Sequence, residues 1–76
     1  MNITILAFAQ SREVFGFSEM TTEIEIGATP REVLEKIAPN SNLDGLRVAV
    51  DCEFYDWDQP MQQVREIAII PPVSGG

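Results

Sequence analysis

The sequence has no histidine and a single cysteine, Cys52, in 76 residues. The first absence removes Ser-His and Cys-His nucleophilic pairs, His-ligated zinc and imidazole acid–base chemistry from this chain. The second removes an internal disulfide and any Cys-x-x-Cys motif. A disulfide-stapled secreted scaffold is therefore excluded, and a reducing, cytoplasmic setting is expected. Basic residues are also scarce: five Lys and Arg stand against twelve Asp and Glu, a net charge of −7. A surface of that sign repels nucleic-acid phosphates and anionic lipid and suits a partner with a basic face. No apolar run approaches the ~20 residues of a membrane span, and the N-terminus lacks the basic region and cleavage pattern of a signal peptide. The carboxylates are scattered without an EF-hand spacing, so no metal site is expected.

What is present is the composition of one globular domain, 45% hydrophobic and 22% charged, too short for a second core. Ile3–Ala9 is apolar apart from Thr4, which predicts a central strand buried on both faces. A polar helical turn is expected over Gln10–Val14, ended at Gly16. Thr21–Ile26 alternates, with Thr22, Ile24 and Ile26 on one side and Thr21, Glu23 and Glu25 on the other, as a half-buried strand does. Thr29-Pro30-Arg31-Glu32 is a capping box with proline at the first helical position. Val33, Leu34, Ile37 and Ala38 follow as an apolar stripe, and Pro39 ends it. Arg47–Val50 is expected as a strand, with Asp51-Cys52-Glu53 as a hairpin connection into Phe54-Tyr55. Trp57-Asp58-Gln59-Pro60 reads as a turn, with the indole over the sheet edge. Glu66–Ile70 is the last strand and again reads as central. The order β-β-α-β-β-β, with the first and last strands central and one helix on one face, is an α+β arrangement.

Residues 1–70 account for that domain. Residues 71–76, Pro71-Pro72-Val73-Ser74-Gly75-Gly76, read as an extended tail. The prolines donate no N–H and end the ladder, and the glycines, without Cβ, pass through a narrow channel. At ~3.3 Å per residue the tail reaches ~20 Å. A glycine carboxylate on such a stalk is a handle that ATP can activate as an acyl-adenylate, with little steric obstruction to a sulfur or amine nucleophile. On the residues alone, a frayed terminus stands beside that reading.

With this tail in view, the chain resembles the small-subunit family of molybdopterin synthase, the sulfur carriers of molybdenum cofactor biosynthesis. The resemblance covers nearly the whole length. It rests on Phe8-Ala9-Gln10 followed by Arg12-Glu13 and Gly16, on Val48-Ala49-Val50, on Asp58-Gln59-Pro60-Met61, and on Glu66-Ile67-Ala68 leading into the tail. It implies the ubiquitin-like β-grasp fold, with a mixed sheet. It also implies a role without catalytic side chains of its own. An adenylyltransferase of the ubiquitin-activating type adenylates Gly76 with MgATP. A sulfurtransferase then supplies the sulfur of a Gly76 thiocarboxylate. The tail of Pro71, Pro72, Val73, Ser74 and Gly75 enters the large subunit, where the sulfur is given to the cyclic pyranopterin precursor, in a heterotetramer. No permanently bound cofactor is implied. Phe8, Arg12, Glu13 and Ile70 become candidate partner contacts.

Two positions depart from the family. Val64-Arg65 stands where a Gly-Asp pair is usual before the last strand, and Asp51 stands where Asn is usual. Valine tolerates positive φ poorly, which predicts a turn of another geometry there. Three alternative roles stand beside the carrier reading: a related thiamin-pathway or thiolation carrier, a ubiquitin-like protein modifier, and a plain interaction domain. Phe15, Phe17 and Met20 form either an interface or a satellite core. Cys52 reads as a small hydrophobe near a hairpin, and Glu19, Glu23 and Glu25 as a solvated strand face.

Overall fold

The computed structural model describes residues 1–8, 15–39 and 42–71. The strands are β1 (Asn2–Ala7), β2 (Glu19–Glu23), β3 (Arg47–Val50), β4 (Glu53–Tyr55) and β5 (Glu66–Ile70), and the helix α1 spans Pro30–Ile37. They form one five-stranded sheet in the order β2-β1-β5-β3-β4. β1 and β5 run parallel and every other neighbouring pair is antiparallel. The first and last strands are therefore interior, as their apolarity predicts, with β5 in the middle. No helix among the described residues is long and apolar enough to cross a membrane.

The capping box forms as read. The Thr29 hydroxyl accepts from the Glu32 backbone N–H at 3.1 Å, and Glu32 Oε1 accepts from the Thr29 N–H at 2.9 Å. Two of the helix's otherwise unpaired groups are thereby satisfied. At the other end the Ala38 N–H donates to the Leu34 carbonyl at 2.8 Å, and Lys36 sits in the last turn, where a cation is favoured. Eight residues are too few for a helix to persist alone. α1 is held because Pro30, Val33 and Leu34 are buried against the sheet. The core on that face comprises Ile3, Ile5, Val48, Val50, Ile67 and Ile69, closed by Met61 from the loop before β5. Phe15, Phe17 and Met20 are half-buried against this core, with the two phenyl rings 6.2 Å apart, which favours the satellite-core alternative.

Three expectations need correction. β1 ends at Ala7 and is not buried on both faces. Ile3, Ile5 and Ala7 are buried toward α1, while Thr4 and Leu6 are half-buried, because alternate side chains point away from the single covering helix. β2 begins at Glu19 and ends at Glu23, not at Ile26. Ile24 is buried, but Ile26 is 64% exposed. The Ala28 N–H donates to Glu25 C=O at 3.2 Å and Gly27 has φ +96°. This is the geometry of a turn with glycine at its third position, and Ile26 rides on its outside. Cys52 is an exposed turn residue rather than a packed hydrophobe. The expected helical turn at residues 10–14 lies outside the described residues.

The β3–β4 hairpin explains both departures from the family pattern. Asp51 and Cys52 have φ +49° and +71°, the two left-handed residues of a type I′ turn whose twist matches the strands. Asp51 Oδ1 accepts from the N–H groups of Arg65 at 2.9 Å and Glu66 at 3.0 Å. Its own N–H donates to the Glu66 carbonyl at 3.0 Å. The entry to β5 is thus held by a carboxylate on the neighbouring hairpin, and Val64 keeps a negative φ. Asp51→Ala is expected to cost about 1–2 kcal/mol. Asp51→Asn, which keeps an acceptor and tolerates the left-handed region, is expected to cost well under half as much. Urea midpoints of the two variants at equal m-value test this.

Candidate functional site

The tail leaves the domain from β5, so the site is built around the end of that strand. Ile70 is its last residue, half-buried and paired with Arg47 of β3. Pro71 follows, also half-buried. Beyond Ala7 the backbone of β1 stays in register: the Phe8 N–H donates to the Ile69 carbonyl at 3.4 Å. Phe8 and Ile70 are thereby placed side by side at one end of adjacent parallel strands, on the face opposite α1. Phe8 is 49% exposed.

Register defines the rest of that face. Leu6 lies opposite Ala68, Ala68 opposite Ala49, and Ala49 opposite Phe54. This apolar row crosses four strands. The two alanines keep its centre shallow, and Phe54 stands 68% exposed at its far end. The Arg47 guanidinium lies 4.9 Å from the Phe54 ring centroid. That is a cation–π contact, and it sets a positive charge at the rim of the apolar strip. Exposed apolar groups stand at its two ends, Phe8 and Phe54, with the buried Ala49 and Ala68 between them, and such groups on a small acidic domain suit protein docking.

Of the residues singled out in the sequence, Phe8 and Ile70 are brought together here and Pro71 adjoins them. Arg12, Glu13, Pro72, Val73, Ser74, Gly75 and Gly76 lie outside the described residues. Sequence reasoning missed Leu6, Ala49, Ala68, Phe54 and Arg47 as members of one surface. The available signal was the parity of positions in β3–β4: Val48 and Val50 face the core, so Ala49 and its cross-strand partner must face away.

The remaining polar contacts are architectural. Arg31 on α1 pairs with Asp58 at 2.7 Å. The hydrogen bond and charge of Asp58 raise the guanidinium pKa further. The Trp57 indole N–H donates to the Leu46 carbonyl at 3.0 Å, and the Tyr55 hydroxyl to the Pro60 carbonyl at 2.7 Å. Trp57 is half-buried against the core, as its expected packing over the sheet edge requires. No group of three or more acidic or cysteine side chains that could hold a metal ion occurs among the described residues.

A five-stranded mixed sheet with its first and last strands parallel and interior, gripping one helix, is the ubiquitin-like β-grasp. SAMP1 from Haloferax volcanii superimposes with a TM-score of 0.76 at 24% identity, over the full length of both chains. Small archaeal modifier protein 1 from Methanosarcina acetivorans does so at 0.68 and 18%, covering 99% of this chain and 96% of that one. Residues 5–76 match the ThiS family, and the chain belongs to it. Among curated relatives, a molybdopterin synthase sulfur carrier subunit of Chlamydomonas reinhardtii is 40% identical over the whole of both chains. Its namesake from Arabidopsis thaliana is 35% identical, over all of this chain and 84% of that protein.

Proposed function

We propose that this chain is the sulfur carrier subunit of molybdopterin synthase. The observation that carries the reading is full-length similarity, at 40% identity, to a relative of that name, on a sequence that ends Pro71-Pro72-Val73-Ser74-Gly75-Gly76. The Gly76 carboxylate attacks the α-phosphorus of MgATP on an adenylyltransferase, and pyrophosphate leaves. The terminal sulfur of a sulfurtransferase persulfide attacks the acyl carbon and expels AMP, and a thiol then reduces the resulting acyl disulfide, leaving the thiocarboxylate and a disulfide. The loaded tail then enters the large subunit, whose residues supply the acid–base chemistry while the sulfur attacks the pyranopterin precursor. Two loaded carriers supply the two dithiolene sulfurs, which fits a heterotetramer. The domain's own contribution is tethering. Holding the nucleophile in place makes transfer effectively intramolecular and removes a large part of the entropic barrier, with no need for histidine or a reactive cysteine.

The strip from Leu6 to Phe54, with Phe8 and Ile70 beside the tail, is the surface on which those partners dock in this reading, together with Arg12 and Glu13. Intact-mass measurement after incubation with the adenylyltransferase, ATP and a sulfur donor tests both parts. The C-terminal peptide is expected to exchange one oxygen for sulfur. Phe54→Ser is expected to raise the carrier concentration needed for half-maximal loading about tenfold, within the range of a single buried anchor, without changing the melting temperature. Absence of the mass change overturns the carrier role. Unchanged half-maximal concentration removes the strip from the docking surface.

A further inference from the structure

The sheet has a second surface that the carrier cycle leaves unassigned. β2 has one neighbour, β1. The Met1 ammonium donates to the Ile24 carbonyl and the Ile24 N–H to the Met1 carbonyl, both at 2.8 Å. The Ala7 N–H donates to the Ser18 carbonyl at 3.0 Å. With the β1–β2 register, residues 18, 20, 22 and 24 direct their backbone groups inward to β1. Glu19, Thr21 and Glu23 therefore present theirs outward, along an edge that no other described strand covers. Beside this edge, on the α1 face, lies a groove of about 550 Å³ between the end of β2 and the helix. Ile24 and Val33 floor it, Glu23, Glu25 and Glu32 line it, and Lys36 is the one cation among its described lining residues.

We infer that this edge accepts an extended basic segment of a partner protein as a sixth strand. The backbone of residues 19, 21 and 23 supplies the ladder, and pleating sorts the incoming side chains. Those that fall beside Glu19, Thr21 and Glu23 lie on the open face, where cations pair with the two carboxylates. Those between them lie on the α1 face, where the one nearest Ile24 reaches the groove, whose floor of Ile24 and Val33 takes a small apolar group. The pattern recognised is thus a cation at alternate positions with small apolar residues between. A second copy of this chain is excluded as occupant, because two such edges would bring glutamate rows together, the usual protection of an edge strand against its own kind. The opposite edge, β4, is only three residues long, and the cavity beside it is smaller, about 230 Å³, and lined by Arg47, Phe54, Tyr55 and Trp57 rather than by glutamates. β2 lies two strands from β5, so a segment docked there leaves Phe8, Ile70 and the tail free for another partner.

Titration of ¹⁵N-labelled full-length protein with the synthetic peptide Lys-Val-Lys-Val-Lys-Val-Lys tests the inference. Comparison peptides have lysine replaced by glutamate, or alternate amides N-methylated on the pairing edge. Saturable shifts are expected at the amides of Glu19, Thr21 and Glu23 and along α1 at Val33 and Lys36. The glutamate and N-methylated peptides are expected to produce none. Glu23→Lys is expected to weaken the lysine peptide about tenfold, by replacing attraction with repulsion in one cross-strand pair, and Glu19→Lys serves as the second variant should Glu23→Lys fold poorly. Equal binding of the N-methylated peptide would reduce the effect to non-specific charge and overturn the proposal. So would shifts centred on Phe8 and Phe54, or no binding at all.

Discussion

A chain ending at Gly75 is expected to melt at the same temperature as the full-length protein and to yield no measurable molybdopterin when reconstituted with the large subunit, activating enzyme, ATP, sulfur donor and precursor. The two halves of this expectation come from different parts of the molecule. Stability resides in the sheet and α1, and the last strand ends at Ile70, six residues before the terminus. Function in the proposed cycle resides in the position of one carboxylate. Removing a residue withdraws it by up to ~3.6 Å, while a misplacement of about 1 Å already costs about 100-fold in a reaction that depends on alignment. Gly76→Ala separates reach from width: the carboxylate keeps its place but carries a methyl group into a channel shaped for glycine, so partial activity is expected. Equal product from the Gly75-terminated and intact chains would refute the role assigned to the terminus.

Ile67→Ala is expected to abolish cooperative folding at room temperature. Ile67 is fully buried in the middle strand, paired with Ile5 on one side and Val50 on the other. Truncating a buried isoleucine costs about 2–5 kcal/mol. A domain below about 80 residues rarely holds more than ~3–5 kcal/mol in all. The loss therefore consumes most or all of the stability. Near-equal intensity of native and random-coil amide signals, or their complete collapse, is the expected NMR result. Phe54→Ala is the matched control, because an aromatic of similar bulk that is already 68% exposed has little burial to lose. A cooperative urea transition within 1 kcal/mol of the parent for Ile67→Ala would show that the core tolerates a cavity at its centre.

The elements legible in the sequence were those specified by neighbours along the chain. Thr29, Pro30 and Glu32 announce the helix start because capping is a contact across three residues. Ile67 to Ile70 announces an interior strand because no polar side chain interrupts it. The errors arose where distant residues decide. Ile26 continues the alternation of β2, yet Gly27 N–H donates to the Met61 carbonyl at 2.7 Å and the Met61 N–H donates to the Ala28 carbonyl at 2.9 Å. A residue 34 positions away in one of those bonds turns the chain before the pattern can finish. Likewise, nothing near Val64 reveals that Asp51 organises the start of β5. The proposed docking strip was half legible: the tail pointed to Ile70 and the resemblance to Phe8, but Phe54 joins them only through the pairing of four strands. The residues beyond Pro71, to which the proposed cycle assigns the chemistry, were read from sequence, because a glycine carboxylate needs no fold to be recognised.

The parallel pairing of β1 with β5 also dictates an order of events at the ribosome. β1 is the first strand synthesised and can close a hairpin with β2 early, but its inner edge has no partner until β5 has been made. Until then Ile3 and Ile5 lack the strand that completes their burial, and the nascent chain carries a sticky, half-built sheet. Such long-range closure is slow compared with local hairpin formation. In the proposed cycle, a partner that reads the folded sheet therefore meets no native surface on a chain that still lacks β5.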